Sequence, residues 1–291
     1  MQFNYKHNLL RKLFNYLLRK ALFINRKKFH QQDLPQYIGL LHEYISIDIM
    51  VDGIYDIKSI NEILKLLKSN HLNFKFDTLI DIGANIGNHT VYMSKYFNNV
   101  IAFEPNPYTF EILKLNTIDY SNIAINNFGL SSTEESLYLS EDTRNLGGSK
   151  VYKNKSDIAA NLTVRQIQLR KLDDLNLKPL KNGVLMKIDV EGHELKALEG
   201  ARNFIFQYKP IICFEQHLDE FINSSSPVIN YLSKMDYNFY LFESKFDKFK
   251  FIGIDFFLKA FFVDTFSLVK INRFEPKFYD SIIAIPHNNL T

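Results

Sequence analysis

The sequence predicts an α/β fold, a mostly parallel sheet with helices on both faces. Two observations carry the prediction. Short apolar runs of strand length alternate with helical patterns over the middle of the chain, as in strand, crossover helix and parallel strand. The first of these runs ends in a glycine loop and the second in an acid, the pairing by which an open sheet holds a nucleoside at the carboxyl ends of its strands. With 291 residues, 46% hydrophobic and 23% charged, the chain is long enough to bury one large core.

The elements follow in chain order. Residues 1 to 32 contain eight Lys or Arg and no acid, so the rest of the chain is acidic on balance. Within them Leu10, Leu13, Phe14, Leu17, Leu18, Ala21 and Phe23 or Ile24 recur at helical spacing, with Arg11, Lys12, Asn15, Arg19 and Lys20 facing elsewhere. Such a basic amphipathic helix suits peripheral contact of residues 1–30 with an anionic membrane, a partner, or a cap on its own domain. No uninterrupted apolar run reaches the length of a signal core or a membrane span. His42 to Ile57 reads as an irregular strand or hairpin, and Lys58 to Asn70 as a helix. Residues 1–70 are thus expected to form a cap region and 71–291 the core domain. Core strands are expected at 78–82, 99–104, 123–128, 184–189, 211–216, 237–242 and 281–285. Tyr138 and the polar alternation at 165–169 predict an added antiparallel pair.

Two motifs carry the chemistry. The first is Asp81-Ile-Gly83-Ala84-Asn85-Ile-Gly87-Asn88, an apolar strand running into a glycine turn and then a helix. Gly83 permits a turn with positive φ and close approach of a ligand, and the helix that follows presents free N–H groups. Glu104-Pro105-Asn106 ends the next strand, where an acid can accept both ribose hydroxyl protons. The dinucleotide fingerprint is not met, because Asn occupies positions 85 and 88. S-adenosylmethionine, which has no pyrophosphate, is favoured over NAD, and Asp81 suits its ammonium group.

The second motif is Lys187-Ile-Asp189-Val-Glu191-Gly-His193-Glu194, which closes the fourth strand with three carboxylates and a histidine. Together with Asp81-x-Gly-Ala-Asn-x-Gly, Phe103-Glu-Pro-Asn106, Leu172-Asp173 and Pro210-Ile-Ile-Cys-Phe-Glu215, it resembles the FkbM family of S-adenosylmethionine-dependent methyltransferases over roughly residues 75 to 220. The resemblance implies a Rossmann-like class I methyltransferase with a seven-stranded sheet in the order 3-2-1-4-5-7-6, strand seven antiparallel. It implies O-methylation of a sugar, glycan or small molecule most often. It places Asp81, Gly83, Ala84, Asn85, Gly87, Asn88, Glu104, Pro105, Asn106 and Asp189 around the cofactor. The chain departs from the family after the third strand, with Ser131-Ser132 and Glu134 where a serine-aspartate pair is usual, and Gly147-Gly-Ser149 resembles a family loop near the site.

Methyl transfer to an alcohol releases a proton, and proximity supplies much of the rate. Asp189, Glu191, His193 and Glu215 are the catalytic candidates, with His193 as base on its reference pKa and Glu191 or Glu215 orienting it or binding sugar hydroxyls. Glu194 and Glu199 also read as first-turn helix acids. Asp189, Glu191, Glu215 and His217 are hard-cation donors at adjacent strand ends, but no compact ligand spacing is present and no metal is expected. Cys213 lies in an apolar strand as a small hydrophobe, and a lone cysteine excludes an internal disulfide and fits a cytoplasmic setting.

Residues 243–280, rich in Phe and Lys, are an insertion before the last strand and a candidate acceptor lid, accessory cluster or homodimer contact. Nucleic acid is not an expected partner: the body is acidic, and the Asn/Asp-Pro-Pro-Tyr segment of many amino-methylating enzymes is missing after strand four. A protein acceptor and a non-catalytic module on the same scaffold remain the alternatives.

Overall fold

The structure, a computed structural model, describes residues 9–40, 43–69, 72–142, 145–181, 183–222, 224–245 and 266–287. Three helices come first: α1 (Leu9–Gln31), α2 (Tyr44–Asp52) and α3 (Ile57–Lys68). Then follow β1 (Thr78–Ile82), α4 (Asn88–Met93), β2 (Asn99–Phe103), α5 (Pro107–Thr117) and β3 (Ile123–Asn126). A second group comprises β4 (Gly129–Leu130), β5 (Glu135–Asp142), β6 (Asn145–Tyr152) and β7 (Thr163–Arg170). The chain continues through β8 (Val184–Ile188), α6 (Glu194–Glu199), α7 (Arg202–Tyr208), β9 (Ile211–Gln216) and α8 (Pro227–Lys234). It closes with β10 (Tyr237–Ser244), β11 (Phe266–Ile271) and β12 (Tyr279–Pro286).

The main sheet is mixed and runs β11-β10-β12-β9-β8-β1-β2-β3. Strands β3, β2, β1, β8 and β9 are parallel neighbours, and β12 is antiparallel to both β9 and β10. Eight strands replace the expected seven, because β11 adds an edge to β10. That strand comes from the 243–280 segment, so this part of the expected lid is sheet; the aromatic positions 246, 249, 251, 256, 257, 261 and 262 lie outside the described residues. The added antiparallel pair is β5 with β7, within a separate sheet ordered β4-β7-β5-β6.

Successive residues of a strand point to opposite faces, and the main sheet accordingly carries two cores. Ile80, Ile82, Met186, Ile188, Ile212 and Phe214 pack with α6, α7 and α8 on one face. Leu79, Val100, Leu185, Ile211 and Cys213 pack on the other with Ile60, Leu64 and Leu67 of α3. Full burial of each of these α3 side chains contributes about 1.5–3 kcal/mol. Cys213 is buried there as a hydrophobe, and burial pushes its thiol up to about 12.

The segment read as a strand or hairpin at 42–57 is instead helix α2. Its Ile and Val content resembles a strand, but the ends decide. Glu43 accepts hydrogen bonds from the backbone N–H groups of Ile45 and Ser46, and Gly53, at φ 86°, stops the helix in the left-handed region.

Candidate active site

The carboxyl ends of β1, β2 and β8 converge. The amides of Gly83 and Ala84 both donate to the Phe103 carbonyl, and the Asp189 amide donates to the Ile82 carbonyl. Gly83 has φ 84°, and a Cβ there would stand 1.9 Å from the Asp189 carbonyl oxygen, so only glycine fits the turn. The backbone then passes through Asn85, itself left-handed at φ 52°, into α4.

Glu104 organises this loop. Its carboxylate accepts from the Asn85 amide at 2.8 Å, the Asn106 amide at 2.8 Å and the Thr109 hydroxyl at 3.0 Å. Burial pushes its pKa up to about 7 against these donors. Ala84, Asn85, Glu104, Pro105, Asn106, Gly129, Leu130, Gly147 and Ser149 line one cavity, closed at its far side by Asp189, Glu191 and His193. Within its walls Asn85 Oδ1 and Asn106 Nδ2 are buried without a hydrogen-bond partner. A nucleoside ligand with hydroxyls for Glu104 and ring nitrogens or a polar tail for these two amides satisfies them, so the residues fit S-adenosylmethionine.

Two of the expected cofactor contacts are engaged within the protein itself. Asp81 is sealed from solvent, accepts from the Thr90 hydroxyl at 2.5 Å, and faces the Lys187 ammonium at 3.7 Å. It does not line the first cavity, although Lys187, its cross-strand neighbour, does. Asn88 lines the cavity, but its amide is occupied by the Tyr55 backbone, donating to its carbonyl at 2.9 Å and accepting from its N–H at 3.1 Å. It anchors the cap to the loop.

A second cavity adjoins the first and shares with it Tyr55, His89, Lys187 and Asp189. Its other charged residues are Asp48, Asp52, Asp56, Glu215 and Asp280. Lys187 Nζ lies 3.0 Å from Asp189 Oδ2. Burial opposes the Lys187 charge, but the Asp189 and Asp81 carboxylates outweigh it and hold the ammonium protonated. Burial likewise opposes the Asp189 charge, and Lys187 keeps its pKa below the usual carboxylate range. Glu215 is pushed up to about 8 by burial and by the neighbouring Asp189 and Glu191 carboxylates. His89 Nε2 has no partner, and burial together with Lys187 pushes the imidazole down to about 3, so it is neutral.

Of the four catalytic candidates, Asp189 and Glu215 line the second cavity. Glu191, in a left-handed conformation at φ 52°, reaches His217 Nε2 at 3.2 Å. Glu191, Glu215 and His217 bring one ligand atom each within 4.8 Å of one another, a divalent-cation geometry that unites three of the four hard donors read from the sequence. His193, the expected base, lies at the start of α6. It holds the N-cap position of α6 without a side-chain capping bond, its Nε2 lies 3.0 Å from Ser131 Oγ, and it lines the first of the two cavities and not the second. Burial and Lys196 push it down to about 4, well below the reference value that suggested it. Glu194 closes the turn, accepting from the Val190 and Gly192 amides, and Glu199 is an exposed acid of α6.

Sequence reasoning assigned no role to Lys187, His89, Tyr55 or the α2 acids. Lys187 carried a usable signal: a charge inside an apolar parallel strand requires a buried counter-ion.

Residues 81–239, more than half of the chain, match the Methyltransferase FkbM domain. The chain belongs to the FkbM methyltransferase family. It is 34% identical over 128 residues to the hexuronic acid methyltransferase AglP of Haloferax volcanii, an alignment covering 44% of this chain and 51% of that protein. It is 27% identical over 179 residues to Methyltransferase 1 of Beauveria bassiana, covering 54% of this chain and 66% of that protein. The chain thus spans about half of the first relative and two thirds of the second. Among solved structures, the FkbM methyltransferase of Methylobacillus flagellatus KT aligns at a TM-score of 0.42 and 16% identity over 82% of this chain and 52% of that chain. No helix among the described residues is long and apolar enough to cross a membrane.

Proposed function

We propose that this FkbM-family chain transfers a methyl group from S-adenosylmethionine to a hydroxyl of a sugar, glycan or other polyhydroxy acceptor. The observation that supports it is the shared wall: a cavity lined by Glu104, Asn85 and Asn106 meets an acid-lined cavity across His89, Lys187 and Asp189. S-adenosylmethionine, when bound, supplies an electrophilic methyl group. Glu104 takes the ribose hydroxyls, and Asn85 and Asn106 take the remaining polar edge. On the other side, carboxylates arrayed around a cavity accept hydrogen bonds from several sugar hydroxyls at once. Asp189, held in place by Lys187, accepts a hydrogen bond from the acceptor hydroxyl and orients it toward the methyl group. Glu215 is its protonated neighbour, and the two titrate as a pair.

The acceptor cavity carries six carboxyl groups and one ammonium, and that ammonium is already paired. A neutral or amino-bearing sugar therefore suits it better than a hexuronate, although a relative bears the name hexuronic acid methyltransferase. The test is titration with S-adenosylmethionine and S-adenosylhomocysteine, with NAD as control, followed by labelled methyl transfer to a panel of glycosides. Binding of the first two without NAD, and label on a glycoside oxygen, is the expected result. A folded sample that binds neither would refute the reading. Asp189→Asn should then lower kcat about 100-fold while cofactor affinity stays within about threefold.

A further inference from the structure

We propose that α1 docks the protein on an anionic lipid surface. The helix has 23 residues, seven of them Lys or Arg and none acidic. It touches the body through one side near its carboxyl end: Leu22, Arg26 and Phe29 line a groove with Met50 of α2, and the Asn25 amide donates to the Val51 carbonyl. The apolar stripe beside that contact is left bare. Phe14 and Ile24 are each 64% exposed, and Leu13 and Leu17 are similarly open. Among the described residues of α1, it is the last turns that pack on the rest of the protein.

An exposed apolar stripe, flanked by the exposed aromatics Tyr16 and Phe23, needs a cover, and the charge on its flank says which. At about 100° per residue Lys20 and Lys27 fall along one edge of the stripe, so a lipid headgroup layer can meet the ammonium groups while the stripe enters the acyl boundary. The absence of any acid on this helix removes the repulsion that anionic headgroups would otherwise meet.

The helix lies on such a surface and does not span it, since it is too polar to cross. Ile47, Met50 and Val51 of α2 are exposed beside the α1 contact, while Asp48 and Asp52 of the same helix line the acceptor cavity. Docking through α1 thus brings the cavity that α2 borders close to the lipid surface.

The experiment is co-sedimentation of the full chain with vesicles of phosphatidylcholine alone and of phosphatidylcholine mixed with phosphatidylglycerol. Binding to the anionic vesicles should be at least about tenfold stronger at low salt and should weaken as salt rises. The Phe14→Asp, Leu17→Asp double variant should lose it, with circular dichroism and S-adenosylhomocysteine binding unchanged, because both side chains are exposed. The proposal is overturned by a wild-type chain that ignores anionic vesicles, by a double variant that binds as well as wild type, or by a dimer that the double variant dissolves without any vesicle binding. None of these outcomes depends on methyl transfer, so this inference and the proposed activity fail separately.

Discussion

The two cavities that meet at Asp189 are built in different ways. Around Glu104 the first cavity is local, since the carboxylate accepts from Asn85, Asn106 and Thr109, all within a few tens of residues of it, while Tyr55, Gly147, Asp189 and His193 complete the lining from farther along the chain. The acceptor side gathers residues from α2, β8, β9 and the start of β12, including Asp48, Asp52, Asp189, Glu215 and Asp280. The first is organised around one carboxylate held by two backbone amides and a hydroxyl, and the second around six carboxyl groups and one lysine. A site made from local hydrogen bonds should fail abruptly when its backbone is altered, whereas a site made from distributed charge should change by degrees.

The largest expected effect is that of Gly83→Ala. The added Cβ meets the Asp189 carbonyl at 1.9 Å in a backbone with φ 84°, so thermal unfolding should show a loss of about 3 kcal/mol, with cofactor binding abolished. A variant as stable as wild type would mean that the loop is looser than its contacts imply. Next comes Glu104→Ala, which removes the ribose acceptor and releases three donors of the loop. Calorimetry should show S-adenosylhomocysteine binding weakened about 100-fold.

His193→Ala sharpens the division between the two sides. Because His193 pairs with Ser131 and lines only the first cavity, the variant should raise KM for the methyl donor by about tenfold and leave kcat nearly unchanged. A fall in kcat with constant KM would return His193 to the part of base.

The pH dependence has a definite sign. Glu104 has a folded pKa of about 7, above its value in the unfolded chain, so the folded state binds more protons between the two values and loses stability as pH rises through that window. Ribose binding favours the ionised carboxylate, so affinity for S-adenosylhomocysteine should rise a few-fold between about pH 6 and pH 8. Glu104→Gln should flatten both trends in melting and titration. The smallest effect is expected for Asp280→Asn, an exposed member of the acid ring. It should improve use of a hexuronate relative to a neutral sugar by about twofold to threefold, and the gain should fade with salt.

Most of the cofactor side is legible in the sequence because its rules are local. Gly83 is required by one turn, Glu104 ends one strand, and both stand at fixed distances along the chain. Sequence and structure part where a local pattern has two meanings. Asp81 reads as a ligand-facing acid, and the structure adds a buried ion pair with Lys187 across β1 and β8. His193 reads as a base on its reference pKa, which burial then changes. The α2 segment reads as a strand because Ile and Val dominate it, while Glu43 and Gly53 hold the helix signals at its ends.

By itself the sequence determined the α/β class, the glycine turn, the acid after the second strand and the family to which the chain belongs, because each depends on residue types at short separations. Only the tertiary structure decided that Lys187 is clamped between Asp81 and Asp189, that His89 lines both cavities, and that acids from α2 and β12 join Asp189 and Glu215 around the second cavity. Those relations join positions far apart in the chain, and they exist only once parallel strands are in register and burial has reset the charges that meet there.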